Sequence, residues 1–247
     1  MEQAPITQVQ YQSRIRAEAA ALRAAAVQAG AHAPVPTCPD WTVHRLMQHL
    51  ARVFDMVLAV LRAADPQSPP PRIERPTGDF DALLAGFDTR LEALLDALAS
   101  TDPGTGVWNF SPTAPRTAAF WSRRMAHEIT VHRIDAEAAA GTDTAVDPGF
   151  AADGVDEVLT RHLQRRTDYW AVAELSGTVL YHAADAGRAW TVRLVPGQLP
   201  QTAPETVIEP DASVVGLADA VYRAVWGRPS RAVVSGRTDL IEATRAR

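Results

Sequence analysis

The sequence predicts two structural classes in succession, an all-α four-helix bundle over residues 1–147 and a smaller C-terminal α+β domain over residues 148–247. Three observations carry this. The chain has 247 residues, more than one typical domain needs and fewer than three would use. Its first 140 or so residues repeat apolar side chains at three-to-four spacing with almost no strand signal. After GTDTAVDPGFAADGVDEVL the texture changes to short alternating runs.

Four segments supply the bundle, at about residues 8–30, 41–64, 79–100 and 117–140, each rich in Ala, Leu, Arg and Glu and bounded by Pro, Gly or polar punctuation. Their number and length suit a bundle. Between them run HAPVPTCPDWT, DPQSPPPRIERPTGD and TDPGTGVWNFSPTAP. Such loops are longer than antiparallel helices require, and binding surfaces commonly sit on loops of this kind. In the first, Asp40 is placed to cap a helix starting near Trp41. On the second segment Leu46, Leu50, Val53, Val57 and Leu61 form an apolar stripe, with His49 within reach of it and His44 further round. The second domain begins with a helix near 149–166. GTVLYHA and AWTVRLV follow, joined by ADAGR, and read as an antiparallel hairpin whose turn carries Asp185 and Gly187. A short strand at TVIEP, a helix near 213–226, the run RAVVSG and a helical tail complete it.

The bulk numbers exclude several functions. A composition of 47% hydrophobic and 21% charged residues is that of a globular protein. A net charge of −5 with no basic run gives nucleic-acid phosphates nothing to bind, so no nucleic-acid partner is expected. All 24 basic residues are arginine. The single cysteine, Cys38, rules out an intramolecular disulfide and a multi-cysteine zinc site, so most of the sulfur for any thiol chemistry would come from outside the chain. No basic-then-apolar leader and no apolar run of about 18 residues is present, which predicts a cytoplasmic protein without a membrane partner.

The stretch MAHEITVHRID carries the chemistry. On a helix Glu128 and His132 share a face at i and i+4, together with Trp121 and Met125, so a carboxylate and an imidazole point into apolar surroundings. Each member has a plain alternative: a Glu–His pair can be a solvated helix face, and a buried His49 can be satisfied by a backbone carbonyl. Together they strain that reading. A buried carboxylate without a partner is costly, whereas two neutral imidazoles and a carboxylate suit a divalent cation of the zinc type and leave one coordination position open.

CPDWTVHRLMQHLARV, RRMAHEITVHRIDAE, and a distal WGRP with VVSG together resemble the actinobacterial mycothiol-dependent maleylpyruvate isomerase family over nearly the whole chain. The resemblance implies a DinB-like metal-binding bundle followed by a sterol-carrier-like α+β domain. It implies a zinc triad of His49, Glu128 and His132, with mycothiol as the thiol cofactor. Zinc coordination would hold that thiol as the nucleophilic thiolate. In such an isomerase the thiolate adds to a cis double bond, the new single bond rotates, and expulsion leaves the trans product; an S-transferase stops at transfer to an electrophile. The resemblance also puts a functional arginine at Arg228, assigned here to the carboxylate of an anionic substrate, against the alternative that Arg228 simply meets the end of a helix after Gly227.

Around the triad, Asp135 is spaced to orient the His132 imidazole, with pairing to a nearby arginine as the alternative. His127 points about 100° away from Glu128 and reads as a surface or interface residue. Cys38 reads as a small packed residue, Trp41 as core, Arg52 and Arg124 as candidates for a pocket mouth, and Trp108 and Phe110 as candidates for a lid or pocket wall. A function of a different class stays open beside the enzyme: a non-catalytic metal- or small-molecule-binding sensor. So does an apo scaffold whose triad residues bond only to one another.

Overall fold

In the computed structural model, which describes residues 6–246, small hydroxyl and carboxylate side chains open three of the first four helices. Helix α1 (Gln8–Ala29) starts at Thr7, whose hydroxyl accepts from the Gln10 amide while the Gln10 side chain accepts from the Thr7 amide, a reciprocal capping box. Helix α2 (Val43–Leu61) is capped by Thr42 and α3 (Phe80–Ser100) by Asp79, which accepts from the Ala82 amide at 2.8 Å. Helix α4 (Ala118–Ala140) ends at Gly141 in the left-handed conformation, φ 72°. The cap expected at Asp40 falls instead on Thr42. Asp40 is exposed in a turn where the Trp41 amide donates to the Cys38 carbonyl, and Thr42 has the extended backbone that an N-cap needs.

These four helices form the first of two compact units, which takes the residues up to Asn109 and Ala114–Thr144. Within it α1 packs chiefly on α4, and α2 on α3. The buried stripe of α2 runs through Val43, Met47, Leu50, Phe54 and Val57, so Val53 and Leu61 are only half-buried. Helix α4 is central: 16 of its 23 residues are buried, polar ones among them, so it presents no single apolar face. One group of these polar residues is structural. Arg133 donates to Glu18 on α1 and to Glu137 one turn on, and Glu137 also accepts from the Thr144 amide at 3.0 Å. This charge-assisted cluster ties α1 to α4.

The second unit comprises Phe110–Thr113 and Ala145 onward. Helix α5 (Pro148–Glu157) is capped by Asp147 and has Pro at its first turn. It runs on through a π turn (158–162) and a 3₁₀ turn (163–165), so the helix expected near 149–166 is there but is not α throughout. A short α6 (Thr167–Val172) leads to the hairpin of β1 (Gly177–Ala183) and β2 (Arg188–Leu194), paired antiparallel around Ala184–Gly187. Strands β3 (Gln201–Ala203), β4 (Ala212–Gly216) and β5 (Val233–Gly236) complete a mixed sheet in the order β3-β2-β1-β4-β5, with β1 and β4 parallel. Helix α7 (Ala218–Val225) packs on α5, β1 and β4; α8 (Thr238–Ala243) packs on β1 and β4.

Two expectations fail here. TVIEP is not a strand: it is bracketed by Pro204 and Pro210, which cannot donate to a ladder, Ile208 is 90% exposed, and Glu209 has φ 55°. The helix expected near 213–226 begins only at Ala218, because Ala212–Gly216 pairs with β1 and β5 and buries Val214. Among the described residues no helix is long and apolar enough to cross a membrane.

Candidate metal centre

His49 on α2 and the i, i+4 pair Glu128 and His132 on α4 converge inside the first unit. Their ligand atoms lie within 4.8 Å of one another, and among the described residues they are the group of histidine, cysteine and acidic side chains able to hold an ion. The His49 Nε2 atom is 2.9 Å from Glu128 Oε1, and His132 Nε2 is 3.4 Å from the same oxygen. The two imidazole centroids are 4.8 Å apart. Trp41, expected in the core, is only half-buried and walls the site, with its ring 5.0 Å from His49 and stacked 6.1 Å from His132.

Each member is held from behind. Asp135, fully buried, places Oδ2 2.8 Å from His132 Nδ1. Its other oxygen accepts from the Thr37 hydroxyl at 2.5 Å, and the Cys38 thiol lies 3.8 Å from Oδ2. With Nδ1 carrying a proton toward Asp135, Nε2 is the nitrogen that faces Glu128. Arg124 is buried rather than at a pocket mouth, and its Nη2 donates to Glu128 Oε2 at 3.3 Å, leaving Oε1 toward the histidines. Electrostatics follow the geometry. Burial opposes ionisation of Glu128, but the hydrogen bonds from His132 and His49, with the charges of His132 and Arg124, outweigh it and hold the carboxyl well below its ordinary 4.5. Burial also opposes charge on His132, yet the bonds to Asp135 and Glu128 push it from 6.5 up to about 9. The glutamate is thus a carboxylate at neutral pH.

The donor set fits zinc. Two imidazoles and one carboxylate are the ligands of catalytic sites that keep an open position, and ligands about 2.0–2.1 Å from a tetrahedral zinc sit roughly 3.4 Å apart. The observed separations are of that size, 2.9 and 3.4 Å from Glu128 Oε1 to the two imidazole nitrogens with all ligand atoms within 4.8 Å of one another, and a bound metal would replace a proton on His132. A carboxylate behind a ligating imidazole is the arrangement that fixes the tautomer at metal sites.

Of the residues singled out in the sequence, His49, Glu128, His132 and Asp135 are brought together. Arg228 belongs to the second unit. Its amide donates to the Arg223 carbonyl while that of Gly227, φ 67°, donates to Ala224, closing helix α7, and its Nη1 donates to the Trp226 carbonyl at 2.6 Å. It meets a helix end. His127 is fully buried, not at the surface. Trp108 stacks on Trp121 and accepts from its Nε1 at 2.7 Å, while Phe110 lies in the second unit against His162. Thr37 was not anticipated. Only its neighbourhood to Cys38 and the loop's proximity to α2 in sequence pointed toward it.

Comparison with known proteins decides the family. Residues 13–137 match the profile described as the mycothiol maleylpyruvate isomerase N-terminal domain, and residues 149–243 match that of the C-terminal domain. The chain belongs to the mycothiol maleylpyruvate isomerase family. Two solved structures share its architecture: the mycothiol-dependent maleylpyruvate isomerase, at TM-score 0.65 and 13% identity, and a histidine-to-alanine mutant of it, at 0.67 and 12%. Each alignment covers 93% of both chains. This likeness supports the N-terminal helical bundle and smaller C-terminal α+β domain that the sequence implied. No curated protein sequence matches the chain at a significant level.

Proposed function

We propose that this family member is a zinc- and mycothiol-dependent enzyme of the maleylpyruvate isomerase type, converting a small cis-unsaturated acid to its trans isomer. The observation that carries the reading is the convergence of His49, Glu128 and His132 on one point, with Asp135 bonded to the far nitrogen of His132. Zinc bound there would supply a Lewis acid able to hold an external thiol as thiolate at neutral pH. The chain's own residues divide the remaining work. His49, Glu128 and His132 hold the ion, and Asp135 keeps the proton on His132 Nδ1 so that Nε2 presents its lone pair. Arg124 keeps Glu128 Oε2 occupied. Trp41 excludes water from one side of the two imidazoles. Cys38 touches Asp135 rather than the ligand atoms, so it is not the reacting sulfur. Arg228 is proposed, on the family resemblance alone, to bind a substrate carboxylate. A cytoplasmic setting is part of the same reading.

The test is incubation of the zinc-loaded chain with mycothiol and maleylpyruvate, following both acid and thiol. Conversion of cis to trans acid with the thiol recovered supports isomerisation. Stoichiometric loss of thiol into an adduct makes the protein an S-transferase instead. Neither product, with zinc bound, leaves a non-catalytic metal-binding sensor.

A further inference from the structure

Three arginines that the metal centre does not use collect at α2 and the segment after it. A cleft of about 290 Å³ is lined by Arg52, Arg72, Ile73, Glu74 and Arg75. Its outer wall is the proline-rich segment after α2, which is fastened to the helix at two places: Gln48 Nε2 donates to the Pro76 carbonyl at 2.9 Å, and His44 Nε2 lies 3.0 Å from the Gly78 carbonyl. Residues 44, 48 and 52 form one stripe of α2 at four-residue steps, so the segment is held along the stripe that ends at Arg52. Arg72 pairs with Glu74 at 2.9 Å. Arg52 and Arg75 have no carboxylate partner among the described residues. Three guanidinium groups against one carboxylate leave a local charge of +2 in a chain whose net charge is −5. Arg52 also follows His49 by three residues, which sets the two on the same side of α2, about 4.5 Å apart along the axis.

We propose that this cleft is an anion subsite next to the metal centre that takes one carboxylate group of a small dicarboxylate, held between the guanidinium forks of Arg52 and Arg75. Two unfilled forks lining one cleft can clamp a single carboxylate, and the planar bidentate geometry of arginine favours carboxylate over spherical anions. The identity of the anion as substrate rests on the proposed isomerase reading; binding in the cleft does not need the metal.

The test uses the full chain without metal, titrated with maleate by calorimetry at low ionic strength. Saturable binding of one maleate per chain is expected, weakened at least about fivefold by Arg52→Gln and by Arg75→Gln, the loss of one charge-assisted hydrogen-bonding partner. Arg62→Gln, at the C-terminal end of α2 outside the cleft, leaves it unchanged. Circular dichroism confirms that each variant is folded, and zinc titration of the same variants shows the metal site intact. No saturable binding, equal binding by both cleft variants and the wild type, or displacement of maleate by chloride as readily as by succinate overturns the proposal. Maleate binding without zinc binding would sink the isomerase reading and leave the cleft; zinc-dependent isomerisation with maleate affinity untouched by either variant would do the reverse.

Discussion

Asp135 decides which nitrogen of His132 faces Glu128. Its carboxylate is fully buried and fixed by Thr37 on one oxygen and His132 on the other, so the imidazole has one orientation and one tautomer suited to a metal. Asp135→Asn retains the shape but removes the charge, and zinc affinity measured by chelator competition is expected to fall by about 10- to 100-fold. The same contacts make the metal-free protein sensitive to pH. His132 has a folded pKa of about 9 against an ordinary 6.5, so its contribution to stability is complete below 6.5 and is lost as pH rises toward 9. Glu128 is depressed below 4.5, so its contribution is present above that value and is lost on acidification. The Tm of metal-free protein should therefore fall between pH 6.5 and 9, and His132→Ala should flatten that slope; an equal slope in the variant would remove His132 as its cause. The Glu128–His132 pair was legible in the sequence because helical spacing put both on one face, while His49 was reached through the α2 stripe and the family resemblance. Arg124 was not, since a buried arginine and a solvated one look alike at i−4 from a glutamate until the packing of α4 is known.

Helix α4 illustrates what periodicity can and cannot give at the level of elements. Its limits were readable to within a residue from the patterning and Gly141, yet its burial on nearly all sides was not, because Arg124, His127, Arg133 and Asp135 interrupt the apolar pattern. The strands were harder. The β1–β2 hairpin announced itself through alternation and the Asp185–Gly187 turn, whereas Ala212–Gly216 leads directly into the helix-forming ADAVYRAV and is set apart as a strand by pairing with β1 and β5. Its β-branched Val214 and Val215 already favour a strand, and pairing on both sides completes it. The VVSG run ends in a glycine that no other residue can replace without displacement. Gly236 has φ 80°, and a Cβ there would lie 2.2 Å from the Asp211 carbonyl oxygen and 2.8 Å from the Ala212 Cα. Gly236→Ala must displace β5 from β4, and a loss of about 1–3 kcal/mol, read as a Tm lower by several degrees, is expected. An unchanged Tm would mean that the β4–β5 edge yields without cost.

At the scale of the molecule, the change of texture after residue 140 marked the passage from an all-α to an α+β unit, and profiles for the two family domains fall on either side of it. What the sequence did not reveal was that Phe110–Thr113, from a loop between bundle helices, is grouped with the second unit. Nothing in SPTAP distinguishes such a loop from one that stays with its helices. The second unit's part in the proposed reaction is tested through Arg228. Arg228→Gln should raise the KM for a dicarboxylate by about tenfold, the loss of a charge-assisted bond, with zinc content unchanged; an unaltered KM would leave Arg228 as the residue that closes α7. The proposed chemistry depends throughout on the bundle holding a metal. The most direct measurement is therefore the metal content of protein purified without added metal, beside that of His132→Ala. About one zinc per chain is expected in the wild type and little in the variant, as a three-ligand site requires. No metal in the wild type after reconstitution with zinc, or equal zinc in both proteins, would contradict the metal centre and the reaction built on it.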